Sequence, residues 1–381
     1  MKKILVISAG RSDYDRYYPI IDKLNKKKNI KLYLFLTKAH FHKKFGYTVN
    51  FINKKFNIVK KSNQRSDFKE ISEDFVADLD DFINTVKRLK PKMLIVLGDR
   101  YEMLLGPIAC IPKNIPVIHF YGGAVTEGAT DELVRHAITK MSHYHFVALS
   151  QYKKRLMQMG EESWRIKNIG VHNLNLIKSM RIMSKSILSK IFNFDFFIPY
   201  CLLTFHPVTL ELANINSQLK NLIKAIKEHK LNVIVTYPNS DPRHNIIINT
   251  LEKQFKNKKK FLIIKNCGFK NYTSILKHSK FVIGNSSSGI VEAATLKIPS
   301  INIGTRQNGK YKPLNVINSN YSKKEITKSV KKALNTNFLK KIRKIKNPYE
   351  SKVSLDKIAN FIVKLKINDK LLRKRFVNIK L

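Results

Sequence analysis

Short apolar runs recur along the chain. In the first half they read "KILVIS", "KLYLFL", "MLIVLG", "PVIHF" and "YHFVAL"; in the second half, "YCLLTF", "LNVIVTY", "KFLIIK", "KFVIG" and "SINIG". Continuous Val/Ile/Leu runs, as opposed to alternating ones, belong to parallel strands covered on both faces. Between them lie stretches whose apolar positions follow helical spacing, among them "EDFVADLDDFINTVKRLKP" and "DELVRHAITKMSH". This alternation predicts an α/β protein with doubly wound parallel sheets. "LNLIKSMRIMSKSILSKIFNFDFFIP" reads as a connecting helix plus loop, and a new strand begins at Tyr200. A chain of 381 residues is too long for one core. Two Rossmann-like domains facing across a cleft are therefore expected, 1–180 and 181–381, with a helix over Lys352–Lys366 packing back toward the first domain. "LLRKRFVNIKL" closes the chain as a basic tail.

Charge changes the picture less than its size promises. The formal net charge is +45, yet the lysines are spread over every segment. No aromatic-interleaved patch and no helix-turn-helix or RNA-binding signature accompanies them, so a diffuse compositional bias is the reading and no nucleic-acid partner is expected. An anionic substrate would still be drawn to such a surface. Three widely separated cysteines, Cys110, Cys201 and Cys267, suit buried thiols in a reducing compartment. "MKKILVISAGRSDY" has too short an apolar run for a signal peptide and reads as a first buried strand. No stretch approaches the ~20 apolar residues of a membrane span. A cytoplasmic protein with no membrane partner is expected.

In open parallel sheets the ligand sits beyond the carboxyl ends of the strands, and polar residues gather there. Arg11 and Asp13 follow the first run, and Asp99 and Arg100 follow "IVLG". The glycine-bent stretch "YGGAVTEGATDELVRHAITKMSH" follows "VIHF". In the second half come His206, Asn239, Asn285 to Ser288, and Arg306. "GNSSSGIVEAA" would open a helix whose N–H groups, with the Ser286 and Ser287 hydroxyls, form a diphosphate seat. Three serines between two glycines exceed what an N-cap requires. Glu292, placed two turns in, would accept ribose hydroxyls. "GTRQNGKY" approaches a P-loop, but Tyr311 stands where a magnesium-binding hydroxyl belongs, so Arg306 is read as a phosphate ligand. No G-x-G-x-x-G occurs, which leaves a dinucleotide cofactor unsupported. "HFH" (40–42) and "HYH" (143–145) lack a third ligand and read as satisfied polar side chains, so no metal is expected. Asp99, Asp131 and Glu132 offer carboxylates for acid–base work. Asp131 and Arg135, at i and i+4, also fit a plain helix pair. His206 fits either a core position or a phosphate contact.

"LGDR", "YGGAVTEGATDELVRHAITKMSH", "TFHPVTLE", "TYPNSD", "GNSSSGIVEA" and "NIGTRQNGK", in this order, resemble the UDP-N-acetylglucosamine 2-epimerase family. The likeness is to the hydrolysing branch that feeds sialic and legionaminic acid synthesis, and it runs from residue 1 to about 335. It implies a GT-B-like pair of domains, a homodimer or homotetramer, a nucleotide-sugar substrate and no cofactor. By resemblance, Arg11 contacts the nucleotide, Asp99 and Asp131 are acids for proton transfer, and Arg135 is their neighbouring arginine. His206 lies near the diphosphate, Ser286, Ser287 and Arg306 bind phosphate, Glu292 binds ribose, and Phe269 lies against the base. Arg100 and Asn239 join them on the substrate-binding side. Where relatives read His-Ile-Glu-Gly-Gly-Glu, this chain has His119-Phe120-Tyr121-Gly122-Gly123-Ala124. Tyr121 therefore stands in place of a glutamate with an acid/base role. Either Tyr121 handles a proton, or Asp99 and Asp131 suffice, or the sugar differs; Glu127 is a further candidate.

The activity implied is conversion of UDP-N-acetylglucosamine to N-acetylmannosamine plus UDP. The diphosphate leaves to give a glycal, and rehydration inverts C2. The same reaction on UDP- or GDP-2,4-diacetamido-2,4,6-trideoxyglucose is an alternative. A GT-B glycosyltransferase and an inactive nucleotide-sugar binder are the rival readings.

Overall fold

The computed structural model describes residues 1–42, 47–59, 71–229, 231–238, 241, 243–256 and 259–378, with the side chains of Arg11, Ser12 and Ile71 outside the description. The chain divides into two compact units. One comprises Met1–Ala124, Asp131–Leu176 and Tyr349–Leu381; the other comprises Val125–Thr130 and Ile177–Pro348. The sequence reading carried the second domain from 181 to the end of the chain. In the structure the chain re-enters the first unit at Tyr349, where the helix Leu355–Lys364 has its apolar partners.

The first unit is built on a seven-stranded sheet: β1 (Lys2–Ser8), β2 (Ile30–Leu36), β3 (Asn57–Ile58), β4 (Met93–Leu97), β5 (Val117–Phe120), β6 (Tyr144–Val147) and β7 (Ile166–Asn168). The spatial order is β3-β2-β1-β4-β5-β6-β7, with parallel pairing. Successive side chains of β1 serve opposite faces. Ile4 and Val6 pack with Tyr17, Ile21 and Leu24 of helix α1 (Arg11–Asn25) and with Ile358 and Ile362 of the helix Leu355–Lys364. Leu5 and Ile7 join Phe82 of α2 (Ile71–Leu89) and Ile138 of α4 (Asp131–Met141), with the short α3 (Leu105–Cys110) on the same face. Coverage on both faces is why Ile4–Ile7 of β1 form an unbroken apolar run.

The second unit has a six-stranded parallel sheet: β8 (Tyr200–Thr204), β9 (Asn232–Thr236), β10 (Phe261–Ile264), β11 (Val282–Gly284), β12 (Ser300–Ile303) and β13 (Val316–Ser319), ordered β10-β9-β8-β11-β12-β13. Leu203 and Phe205 pack with Leu219 and Leu222 of the helix Ile215–Lys227 and with Val330 of the helix Lys323–Leu334. Both sheets reverse direction of build at one place, between β1 and β4 and between β8 and β11. These are the topological switch points where such folds bind ligands.

Some local expectations change. The connector is two helices, Asn173–Ser179 and Lys185–Phe192, in place of one. The basic tail is docked on the first unit. The fully buried Arg165 donates to the carbonyls of Lys370 (2.8 Å), Leu371 (2.7 Å) and Arg373 (3.0 Å). All three cysteines are buried. No described helix is long and apolar enough to cross a membrane.

Candidate active site

At the first switch point, Asp99 sits on the turn after β4 with about a third of its side chain accessible (35%). Arg135, on α4 and wholly buried, donates to Asp99 through Nε (3.1 Å) and Nη2, to Glu132 (2.6 Å) and to the Ala124 carbonyl (2.9 Å). The i, i+4 spacing suggested a simple pair with Asp131; the guanidinium instead bridges Asp99 to α4, and Asp131 at the helix start adds to its field. Both donors converge on Oδ2 of Asp99, which anchors that oxygen to the buried guanidinium.

Tyr121 follows β5 in the left-handed region, φ 64°, which side chains with a Cβ rarely adopt. It is half-buried, and its hydroxyl accepts from the His172 N–H at 3.4 Å. The next turn needs its glycines: on Gly123, φ 78°, a Cβ would stand 2.7 Å from the Tyr152 carbonyl oxygen. Arg100 is forked onto Glu102 (3.1 and 2.7 Å). Arg11 opens α1, and its side chain lies outside the description.

In the second unit, the residue that organises the switch point is one to which the sequence reading gave no role. Asn285, fully buried after β11, clasps the backbone of His206 after β8: its Oδ1 accepts from the His206 N–H (2.7 Å) and its Nδ2 donates to the His206 carbonyl (2.9 Å). The Asn285 carbonyl in turn accepts from Arg306 (3.3 Å) and Gln307 (2.9 Å). His206 and Arg306 thus converge on one asparagine. Arg306 also lies 3.6 Å from Asp241, and its buried Nε has no hydrogen-bond partner among the described residues. The turn carrying Arg306 is braced by Glu211, which accepts from Tyr321 (2.8 Å), Gln218 (3.0 Å) and Thr305. The segment Val125–Thr130 packs on that turn. Glu127, exposed, donates its N–H to Asn308 (3.2 Å), and a Cβ on Gly128 would meet the Arg306 Cα at 2.9 Å.

The triple serine is not the start of a long helix. Ser286 caps a 3₁₀ turn, Ser287–Gly289, by accepting from the Ser288 N–H (3.3 Å). Glu292, expected two turns into a helix, heads a separate short one, Glu292–Leu296, and is buried. Between the two, Gly289 is needed for space, since a Cβ there would meet the Ser300 hydroxyl at 2.3 Å. Phe269 is half-buried at the start of the helix Gly268–His278. Asn239 lies outside the described residues.

The histidine pairs are bonded within the protein. His40 takes Ser8 (3.0 Å) and Thr48 (2.9 Å), His143 accepts from the Val117 N–H (3.2 Å), and His145 meets Glu161 (3.1 Å).

Two Rossmann-like parallel-sheet domains with polar groups at both switch points define a GT-B-like α/β enzyme. A family model described as UDP-N-acetylglucosamine 2-epimerase matches residues 22–363, and the chain belongs to that family. It is 38% identical over 328 residues to a "GDP/UDP-N,N'-diacetylbacillosamine 2-epimerase (hydrolyzing)" from Campylobacter jejuni, covering 84% of each chain. It is 33% identical to a "UDP-N,N'-diacetylbacillosamine 2-epimerase (hydrolyzing)" from Legionella pneumophila, covering 88% of this chain and 89% of that one. The fold matches the crystal structure of UDP-GlcNAc 2-epimerase from Neisseria meningitidis bound to UDP-GlcNAc, with a TM-score of 0.76 at 16% identity, covering 95% of this chain and 98% of that one.

Proposed function

We propose that the chain is a hydrolysing 2-epimerase of a nucleoside-diphosphate-activated 2-acetamido sugar, releasing the nucleoside diphosphate and the free 2-epimer. The observation that carries this reading is Asp99, accessible at the first switch point and forked from behind by a guanidinium with no solvent access. The hydrogen on C2 is not acidic while C1 is intact, because no carbonyl adjoins C2. It becomes removable as the C1–oxygen bond breaks and positive charge develops on the ring. The second unit supplies what that departure needs: Arg306, His206 and the Ser286–Ser287 turn stabilise the leaving diphosphate electrostatically, and Glu292 takes the ribose. Asp99 accepts the C2 proton, giving a glycal; water then adds at C1 as a proton returns to C2 from the other face.

For the sugar, the named substrates of the Campylobacter and Legionella relatives favour a 2,4-diacetamido-2,4,6-trideoxyhexose over N-acetylglucosamine. The replacement of a carboxylate by Tyr121 fits a changed sugar. Its free product would be of the kind that nonulosonic acid synthesis consumes. A homodimer or homotetramer belongs to the same reading and is measured by light scattering.

The test is incubation with UDP-N-acetylglucosamine and with UDP- and GDP-diacetamido sugars in deuterated water, read by NMR without any acceptor. The expected products are nucleoside diphosphate and a free 2-epimer deuterated at C2, and Asp99→Asn should lose both. Turnover only when an acceptor is supplied would make the protein a glycosyltransferase instead.

A further inference from the structure

Inverting C2 requires a proton to leave one face of the ring and another to arrive at the opposite face, so one carboxylate does not complete the cycle. Besides Asp99, and Asp131 and Glu132 whose charges face Arg135, the first switch point holds a further carboxyl. Asp13 is the third residue of α1, and β1, which leads to it, pairs directly with β4, which leads to Asp99. The two acids therefore follow adjacent strands on either side of the point where the sheet reverses.

Helix capping accounts for half of Asp13. Its Oδ2 accepts from the Ala9 N–H (2.6 Å) and the Ser8 hydroxyl (3.2 Å), as a capping carboxylate does. Its Oδ1 is buried with no hydrogen-bond partner among the described residues, and the residue is only 4% exposed. One turn along the same face of α1, the buried Tyr17 hydroxyl likewise has no partner among them. Two orphaned polar atoms at a ligand-binding strand end are not what capping needs.

Behind Asp13 runs a chain of hydrogen bonds. Ser8 meets His40 Nε2 at 3.0 Å, and His40 Nδ1 meets Thr48 at 2.9 Å. Burial holds His40 neutral, with its pKa near 3. In the tautomer protonated at Nε2, Thr48 donates to His40, His40 to Ser8, and Ser8 to Asp13. Burial raises the Asp13 carboxyl to about 6, although Arg100 and the N–H groups of Ala9, Asp13 and Gly10 pull it down. Among the described residues, the charged and titratable groups facing it are Arg100, His40 and Tyr17. The two carboxyls thus sit in opposed surroundings, Asp99 ion-paired and Asp13 desolvated, which is how acid and base roles are divided.

We propose that Asp13 is the second catalytic carboxyl, the general acid that protonates C2 of the glycal on the face opposite Asp99. This rests on the 2-epimerase reading above. In the first half-reaction Asp99 takes the C2 proton while the C1–oxygen electron pair leaves with the diphosphate. In the second, the Asp13 O–H proton goes to C2, water oxygen bonds to C1, and the proton that water loses restores Asp13. Asp99 releases its proton to solvent.

The test separates the halves. Asp13→Asn keeps a capping acceptor and should still release nucleoside diphosphate, with free glycal accumulating in the NMR spectrum, while epimer formation falls ~10²-fold or more. Ser8→Ala removes a donor to the charged form of Asp13, so the alkaline limb of glycal hydration should move to higher pH; a purely capping role would leave that limb in place. Epimer formation by Asp13→Asn at the wild-type rate, with no glycal, overturns the proposal. If that variant does not fold, an unmoved limb in Ser8→Ala overturns it equally. A wild-type protein that releases no nucleoside diphosphate from any sugar of the panel would refute the 2-epimerase reading itself, a result distinct from either.

Discussion

A guanidinium with no access to solvent must be matched by anions, and Arg135 is matched by Asp99 and Glu132. Replacing it with methionine keeps much of the volume and takes the guanidinium from both carboxylates, although Glu132 keeps His136 (2.8 Å). Breaking a fully buried pair costs about 3–5 kcal/mol; here solvent reaches both acids, and a loss on the order of 2 kcal/mol is expected. Turnover should fall further than stability, by ~10²-fold, because Asp99 loses its fixed orientation. Arg135→Lys should restore much of the melting temperature but little of the rate, since lysine cannot form the fork. Wild-type turnover in Arg135→Met would remove Asp99's buttress from the mechanism. Asn285 admits a parallel argument. Asn285→Ala strands the His206 N–H and carbonyl, at about 1–3 kcal/mol for each buried group. Asn285→Asp keeps one of the two bonds but brings a negative charge to the proposed diphosphate seat. Calorimetry should therefore show UDP binding weakened by alanine and weakened more by aspartate. The opposite order would mean that no anion sits there.

At the scale of elements, the strands legible in the sequence are those with covered faces. β1, β2, β4 and β8 each carry a buried apolar run: Ile4–Ile7, Leu32–Leu36, Met93–Leu97 and Tyr200–Leu203. β3, β7 and β13 escaped notice because they are edge strands, and "NI", "IKN" and "VINS" carry too little apolar pattern to stand out. The polar ends of strands were legible as places, but not as networks: Ser8, Asp13, His40 and Thr48 come from separate segments, and no spacing announces their contact. The tail is a similar case. "LLRKRFVNIKL" reads as a solvated basic run, yet Lys374 donates to the carbonyls of Lys140 (2.8 Å) and Ser142 (2.6 Å), closing the carboxyl end of α4. It also pairs with Glu161, which lies inside the protein. A cation at a helix carboxyl terminus is favoured by the helix dipole. Here it also answers a buried carboxylate, so Lys374→Ala should lower the melting temperature by several degrees. Lys370→Ala, which leaves that network intact, should not. Equal melting of the two variants would show that the tail adds nothing to α4.

At the scale of the whole molecule, charge and burial act in the same direction as pH falls. Burial depresses the pKa of His40 and His119 to about 3 and of His143 and His172 to about 4, and all four lie in the first unit. An unfolded histidine takes its proton near 6.5. Between that value and the folded ones the unfolded chain holds protons that the native chain lacks, so stability present above pH 6.5 is lost on acidification. By pH 5 the loss is on the order of 2 kcal/mol for a fully buried histidine. Glu161 adds to it at lower pH. Despite burial, hydrogen bonds from His145, Lys140 and Lys374 hold its carboxyl near 2, so its contribution fades as pH falls below the ordinary carboxylate range. Asp13 opposes these terms, since its raised pKa gives stability that is present at low pH and lost as pH rises through about 6. One such group is outweighed by the four histidines, and a chain already at +45 gains self-repulsion with every added proton. The melting temperature should therefore drop steeply between pH 7 and pH 5. Hydrogen exchange should locate the early loss at β5 and β6, which carry His119 and His145, before β8 and β11. His119 spans the Gly98 carbonyl (2.8 Å) and the Thr139 hydroxyl (3.2 Å), and His119→Gln, which keeps a donor and an acceptor but cannot titrate, should flatten the slope. A melting temperature indifferent to pH over that interval, or an unchanged slope in the variant, would show that these histidines take up protons without unfolding the sheet around them.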